Sequence, residues 1–292
     1  LTGLGLYEAQ TQTLVSGEAA SLLGIAPVAL EYPLSSEQGK LRTSLLPGLA
    51  NVLQHNANHD TADAALFEIG RVFRDDDGQP AESWSLAIAL TGRRFSPFYE
   101  GAEREAMNEF ADLKGIIEEF ADQFGMRGVS YERHDEAGEF FVESGSVKLG
   151  NKPVGTLGQF SPLLARRHDL KHPVFFAEFD LGQALQRRTT KRSFKALPAF
   201  PGTRRDIAML VADDTTHDAV LQSVRKAKPN NLESVELFDV YRGEGVEAGQ
   251  KSVAYAFHYR SAEGTLKDKQ VDAVHEKVIE RLRDDLSATI RS

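Results

Sequence analysis

The chain has 292 residues, with 34 Lys and Arg against 43 Asp and Glu and a formal net charge of −9. At about 100–200 residues per domain the length predicts two domains, and 41% hydrophobic with 26% charged residues is a globular rather than a disordered balance. No stretch approaches the ~20 apolar residues that span a bilayer, and the lack of Cys excludes disulfides, thiolate metal sites, iron–sulfur clusters and cysteine nucleophiles.

The opening LTGLGLYEAQ lacks a basic start followed by an apolar run, so the expected location is the cytoplasm. Leu1 in place of Met reads as a piece of a longer protein. GLYEAQTQTLVS (5–16), rich in β-branched residues, predicts a strand. In SGEAASLLG (16–24), Ser16 is placed to cap a helix and Gly24 to end it. Pro33 and SSEQGK make a loop, and Pro47 opens an apolar-periodic helix running to about His59. ALFEIGRVF, DDDGQPAES and WSLAIALTG read as strand, turn and strand. Phe110, Leu113, Ile116, Ile117, Phe120 and Phe124 recur at helical spacing, with Gly125 at the stop. SVKLGNKPVGTLGQF predicts two strands around GNKP, with Gly150, Gly155 and Gly158 as hairpin punctuation, and PVFFAEFDLGQAL a buried strand entering a helix. Antiparallel pairings with interspersed helices predict an α+β domain built on an antiparallel sheet.

QRRTTKRSFK (186–195) carries Arg187, Arg188, Lys191, Arg192 and Lys195 with no acid. It reads as a solvated interdomain linker, with a nucleic-acid contact as the weaker alternative. Pro198 and Pro201 follow and disfavour a continuing helix, so the boundary is expected here, with domains at 1–190 and 200–292 and a linker at 191–199. TRRDIAMLVA is a strand, HDAVLQSVRKAK an amphipathic helix, NLESVELFDVYRG and QKSVAYAFHYRS two strands, LKDKQVDAVHEKVIERLRDDL a second helix and SATIRS a closing strand. This β-α-β-β-α-β order is the ferredoxin-like plan, in which two helices cover one face of a four-stranded sheet. The other face stays open, and related sheets receive single-stranded RNA there. Val253, Tyr255, Phe257 and Tyr259 alternate onto the helix-covered face; Ala254, Ala256, His258 and Arg260 fall on the open one, where alanines would let RNA approach the backbone.

Candidate chemistry is sparse. His55 and His59 lie four apart with Asp60 beside them, a spacing that can chelate zinc, but without a third ligand they read as helix-surface histidines. DDDG (75–78) reads as a hairpin turn, not a calcium loop, and GLG (3–5) is an incomplete dinucleotide fingerprint. No GxxxxGK[ST] or GxSxG occurs, and neither a catalytic centre nor a metal site is expected.

LRTSLLPGL (41–49), LFEIGRVF (66–73), EFADLKG (109–115), GTLGQFSP (155–162), FPGTRRDIAMLV (200–211), LFDVYRG (237–243) and KSVAYAF…GTLKD (251–268) stand together in one order. In these motifs nearly the whole chain resembles the C-terminal part of the bacterial phenylalanyl-tRNA synthetase β-subunit family. The resemblance implies a catalytically silent class II synthetase-like domain at 1–190 and a ferredoxin-fold anticodon-binding domain at 200–292. It leaves out the family's N-terminal tRNA-binding, B3/B4 editing and B5 modules. It further implies an α subunit as partner, an (αβ)2 heterotetramer, and tRNA(Phe) as the RNA bound. Phenylalanine is then activated with ATP and Mg2+ on the α subunit, and no cofactor is expected on this chain.

Class II chemistry needs an ATP-clamping Arg in motif 2 and a second in a glycine-rich GxGxxR. FEIGRVF offers Arg71, better explained as part of a hairpin strand, and FFAEFDLGQAL has one Gly, no Arg, and Glu178 and Asp180 where phosphates would be repelled. His59 stands where the family shows an Arg. Leu45, Leu46, Leu49 and Leu53 form a stripe for docking the α subunit or for packing within their own domain. The RNA-contact candidates are Arg204 and Arg205, expected just before the first strand of the second domain, Tyr241 and Arg242 near the end of LFDVYRG, and Arg260.

Two other classes compete. In a protein–protein scaffold the ferredoxin-like module regulates and never meets RNA; 14 basic against 16 acidic side chains in residues 197–292 fit that reading. The other is a hydrolase or metalloenzyme on His55, His59, Asp60 and Glu68.

Overall fold

A computed structural model describes residues 1–95, 105–136, 138–189 and 197–291. Contacts divide the chain into two units, Leu1–Arg192 and Ser193–Ser292. Lys191, Arg192 and Lys195 of the basic run, with most of the expected linker, lie outside the described residues.

The N-terminal unit runs β1 (Tyr7–Glu8), β2 (Leu14–Val15), α1 (Gly17–Ser21), β3 (Lys40–Leu41), α2 (Leu46–Ala57), β4 (Ala64–Asp76), β5 (Gln79–Thr91), α3 (Phe110–Gln123), β6 (Val129–Arg133), β7 (Phe141–Leu149), β8 (Lys152–Phe160), α4 (Pro162–Arg167), β9 (Val174–Asp180) and α5 (Leu181–Leu185). Seven strands form one sheet in the order β1-β4-β5-β9-β8-β7-β6; β1 pairs parallel to β4 and the other pairs are antiparallel. Alternation along β5 builds three layers. Leu86, Ile88 and Leu90 pack towards Leu113, Ile117 and Ala121 of α3. Ala87 and Ala89 face the other way, towards Leu46, Leu49, Ala50 and Leu53 of α2. Small residues on that side let the helix lie close to the sheet.

Ser16 caps α1 by accepting from Ala19 N at 3.2 Å, and Pro47 sits in the first turn of α2. The β4–β5 turn is tighter than the sequence predicts: Asp77 and Gly78 alone make it, both at positive φ (52° and 82°), and both strands extend to 13 residues. Residues 5–16 do not form one strand. Between two-residue β1 and β2, Thr11 bonds side chains instead of a ladder: its N–H and Oγ1 donate to Glu68 (3.1 and 2.8 Å), and its carbonyl accepts from Arg42 (3.2 Å). Gly150, at φ 63°, belongs to the β7–β8 turn, but Gly155 and Gly158 lie inside β8. An added Cβ at Gly155 would strike the Glu178 carbonyl, and one at Gly158 would strike Phe141 and the Glu143 carbonyl. The two glycines permit close strand approach and do not punctuate a turn.

The C-terminal unit runs β10 (Thr203–Ala212), α6 (His217–Ala227), β11 (Leu232–Tyr241), β12 (Gln250–Tyr259), α7 (Asp268–Leu286) and β13 (Thr289–Arg291). Its antiparallel sheet has the order β11-β12-β10-β13. Ile207, Met209, Val211, Val253, Tyr255, Phe257 and Tyr259 pack under Val220 and Val224 of α6 and Val271, Val278 and Leu282 of α7. Each helix sends one imidazole to a buried phenol: His217 Nδ1 lies 2.9 Å from the Tyr255 hydroxyl and His275 Nδ1 2.9 Å from that of Tyr259. Among the described residues no helix is long and apolar enough to cross a membrane.

Candidate nucleic-acid interface

Strand pairing sets the rows of the helix-free face. Arg204, His258 and Ser234 form one row and Asp206, Ala256 and Glu236 the next. Arg291, Ala208, Ala254 and Asp239 form a third, and Thr289, Leu210, Ser252 and Tyr241 a fourth. A register shift between Leu237 and Asp239 widens β11 there, and Phe238 stands on this face beneath Arg204, whose Cζ is 5.2 Å from the ring centroid. Phe238 and Tyr241 are 48% and 44% exposed, well above the interior aromatics of the same unit. Exposed rings on a sheet beside cations are what unstacked bases require.

The sequence-predicted residues divide. Arg204 and Tyr241 share this face. Arg205 does not: both arginines lie inside β10, and alternation turns Arg205 towards α7, where it donates to Asp268 at 2.8 Å and Asp272 at 2.9 Å. Arg242 follows Tyr241 and donates from Nε to Asp213 at 2.7 Å. Arg260 lies past the end of β12, bound to Glu233 (2.8 Å) and the Phe200 carbonyl (3.1 Å). Ala254 is partly open, but Ala256 is fully buried, so the close backbone approach expected there is blocked by neighbouring side chains. Phe238 and Arg291 were not foreseen. For Phe238 no local period gives the signal, because it is the unpaired residue at the register shift between Leu237 and Asp239.

In the N-terminal unit the four leucines at the start of and within α2 are buried, Leu45 and Leu49 completely. They pack within their own unit and present no docking stripe. Arg71 sits on the exposed hairpin, bonded to Glu82 (2.9 and 3.0 Å) and 5.3 Å from the Trp84 ring centroid. Glu178 corrects the expected phosphate repulsion. It is interior, accepting from Ser44 Oγ, from Leu45 N at 2.9 Å and from Ser85 Oγ at 2.8 Å. Burial pushes its carboxyl above the usual range, against those bonds and the nearby Arg42 charge. Asp180 caps α5 through Gln183 N at 2.9 Å.

A cavity of about 580 Å³ opens beside Glu178, with Ser85, Thr156 and His134 on its walls. Its described lining has Arg74 as its one arginine, against Glu136, Glu178 and Asp180. Glu68 is held by Arg42, and His59 Nδ1 turns to the His55 carbonyl at 2.7 Å, so the residues of the hydrolase reading do not converge. Among the described residues no group of three or more His, Asp or Glu is placed to hold a metal ion.

Residues 1–181 match the family described as phenylalanyl tRNA synthetase beta chain CLM domain, and residues 198–291 match the ferredoxin-fold anticodon binding domain. The chain belongs to the phenylalanyl-tRNA synthetase β-subunit family. Phenylalanine–tRNA ligase β subunits from Symbiobacterium thermophilum, Geobacter sulfurreducens and Halalkalibacterium halodurans are 33%, 34% and 35% identical over the whole chain. The chain covers 33%, 37% and 37% of those relatives, so it spans about a third of their length. A solved pyrrolysyl-tRNA synthetase of Desulfitobacterium hafniense aligns over 63% of this chain and 61% of its own, with TM-score 0.49 and 16% identity. The two family matches follow the two units in order: the CLM-domain match covers the seven-stranded sheet, and the ferredoxin-fold match covers the unit with one free face.

Proposed function

We propose that this chain serves a phenylalanine–tRNA ligase as a non-catalytic part of its β subunit. Residues 200–292 grip the anticodon region of tRNA(Phe) on the helix-free face. Residues 1–190 dock on the α subunit, with 191–199 as linker, in an (αβ)2 assembly working in the cytoplasm. Phenylalanine is activated with ATP and Mg2+ on the α subunit; the cavity beside Glu178, with Arg74 as the one arginine of its described lining, is ill suited to neutralise nucleotide phosphates. For docking, the half-exposed Ile69 and Trp84 of the β4–β5 hairpin offer apolar surface that the buried α2 leucines do not.

The observation that carries the reading is the open face itself, where Phe238 and Tyr241 stand exposed near Arg204 and Arg242 in the unit that matches the anticodon-binding family. The test is steady-state charging by the complete ligase. Tyr241→Ala with Arg242→Ala should raise KM for tRNA at least tenfold and leave ATP–pyrophosphate exchange with phenylalanine unchanged; an unchanged KM would overturn the reading.

The scaffold reading draws on one specific feature: Arg204, Arg242 and Arg260 are each paired to an acid, Asp206, Asp213 and Glu233. The two readings separate on salt, because phosphate contacts weaken steeply with ionic strength and an uncharged protein contact does not.

A further inference from the structure

Arg204 and Phe238 belong to strands that are not neighbours, since β12 lies between β10 and β11. Their contact therefore spans the sheet. Arg204 Nε donates to Asp206 Oδ1 at 2.7 Å, which holds the side chain along the surface, and its Cζ reaches 5.2 Å from the Phe238 centroid. Arg204 is paired with His258, and Glu236 with Ala256, so the reach to Phe238 crosses β12 near Ala256. That crossing accounts for an alanine on the open face with 0% exposure. The covering pair is itself open to solvent, the Arg204 side chain by 49% and Phe238 by 48%.

Charge decides what class of group can rest on this pair. The Arg204 guanidinium is matched by Asp206, and Glu236 stands in the next row. A phosphate placed there would meet two carboxylates for one guanidinium, whereas a neutral base meets no net repulsion. A base also gains stacking contact with both a ring and a guanidinium plane. We propose that Arg204 and Phe238 form a stacking platform for one unpaired base of a single-stranded RNA loop, separate from Tyr241 at the far end of β11. This rests on the RNA reading of the open face and adds where a base, and not a phosphate, is held.

The complete ligase, with α and full-length β subunits, is titrated with tRNA(Phe) transcripts carrying 2-aminopurine at single unpaired anticodon-loop positions. At one position, binding should quench the fluorescence. Phe238→Ala should relieve that quench at least threefold and raise Kd about tenfold, the scale of one stacked base. Phe238→Leu, which keeps an apolar side chain in β11 but removes the ring, should do the same and answers for any loss of fold in the alanine variant. Arg204→Lys should behave like Arg204→Ala, because the charge remains but the plane is gone; rescue by lysine would overturn the platform. If Tyr241→Ala weakens binding while Phe238→Ala and Phe238→Leu change neither Kd nor quench, the platform falls and the RNA reading stands. If Tyr241→Ala, Phe238→Ala and the obstructing Ala254→Glu all leave Kd unchanged, the RNA reading falls with it.

Discussion

Arg42 and Glu68 meet in the interior of the N-terminal unit at 2.7 Å, with 8% and 2% of their side chains exposed. The arginine also reaches the Arg71 carbonyl at 2.9 Å and the Thr11 carbonyl and hydroxyl at 3.2 and 3.0 Å, so one guanidinium ties the start of the LRTS motif to β4 and to the chain before β2. Removing one partner of such a pair strands a buried charge. Arg42→Ala should lower stability by about 3–5 kcal/mol, and the double variant Arg42→Met with Glu68→Leu by clearly less. Urea unfolding followed through Trp84, the chain's one tryptophan, reads this unit specifically. Equal losses in the single and double variants would refute the stranded-charge account.

The interior of β8 yields a second expectation. A methyl at Gly158 has to displace Phe141 or the Glu143 carbonyl, and β7 cannot move away without breaking its ladder with β8. Gly158→Ala should therefore destabilise by about 1–3 kcal/mol, the scale of overpacking. Gly115→Ala on α3, where nothing stands within 4 Å of the new carbon, should be neutral or slightly stabilising. The same tryptophan-detected unfolding compares the two.

These cases show which parts of the molecule could be read along the chain. The α7 stripe, the alternation in β12 and the Ser16 cap are local patterns with a fixed period or offset, and all three appear in the fold. The Ser44–Glu178 bond joins residues 134 apart, and no local period encodes it. Glu178 was therefore legible as an acid in a strand but not as an interior acceptor for the α2 start. Strand β6, VSYER, alternates Val129 and Tyr131 towards the core with Ser130 and Glu132 away from it, but five residues are too short for that period to stand out along the chain. At the open face, Tyr241 was legible from its place near a strand end. Phe238 and the covered Ala256 depend on a register shift between two strands, which composition does not reveal.

His275 gives the C-terminal unit a pH dependence of known sign. Burial, then the nearby Arg205 charge, hold its pKa below the ordinary 6.5, opposed by Asp272, Glu276 and Asp206; Tyr259 and Phe257 face it from β12. The unfolded chain takes the proton first, so stability is full above pH 6.5 and falls as pH drops below it towards the folded-state pKa. His275→Gln should flatten that fall. Imidazole proton shifts titrated by NMR should place the His275 midpoint below 6.5, and a midpoint above 6.5 would reverse the sign.

Salt dependence separates the arginines of the second unit by role. Arg242 is 57% exposed at the Tyr241 end of the face, held by one surface pair with Asp213, and is free to trade that partner for a phosphate. Taking away the cation that neutralises one phosphate of a single-stranded RNA lowers the slope of log K against log salt by about 0.7. Arg242→Ala should therefore weaken tRNA binding by the complete ligase and cut the slope by about that amount. Arg204→Ala should weaken binding with the slope nearly unchanged, because its guanidinium lies over the Phe238 ring with a second acid, Glu236, in the next row besides its partner Asp206, and its role is to stack on a base. Arg205→Ala should leave both nearly unchanged and instead lower the melting temperature, since Arg205 clamps α7 through Asp268 and Asp272. Titrations at three salt concentrations give three slopes to compare; a fall in slope at Arg205 equal to that at Arg242 would mean that residue placement on this sheet does not govern RNA binding.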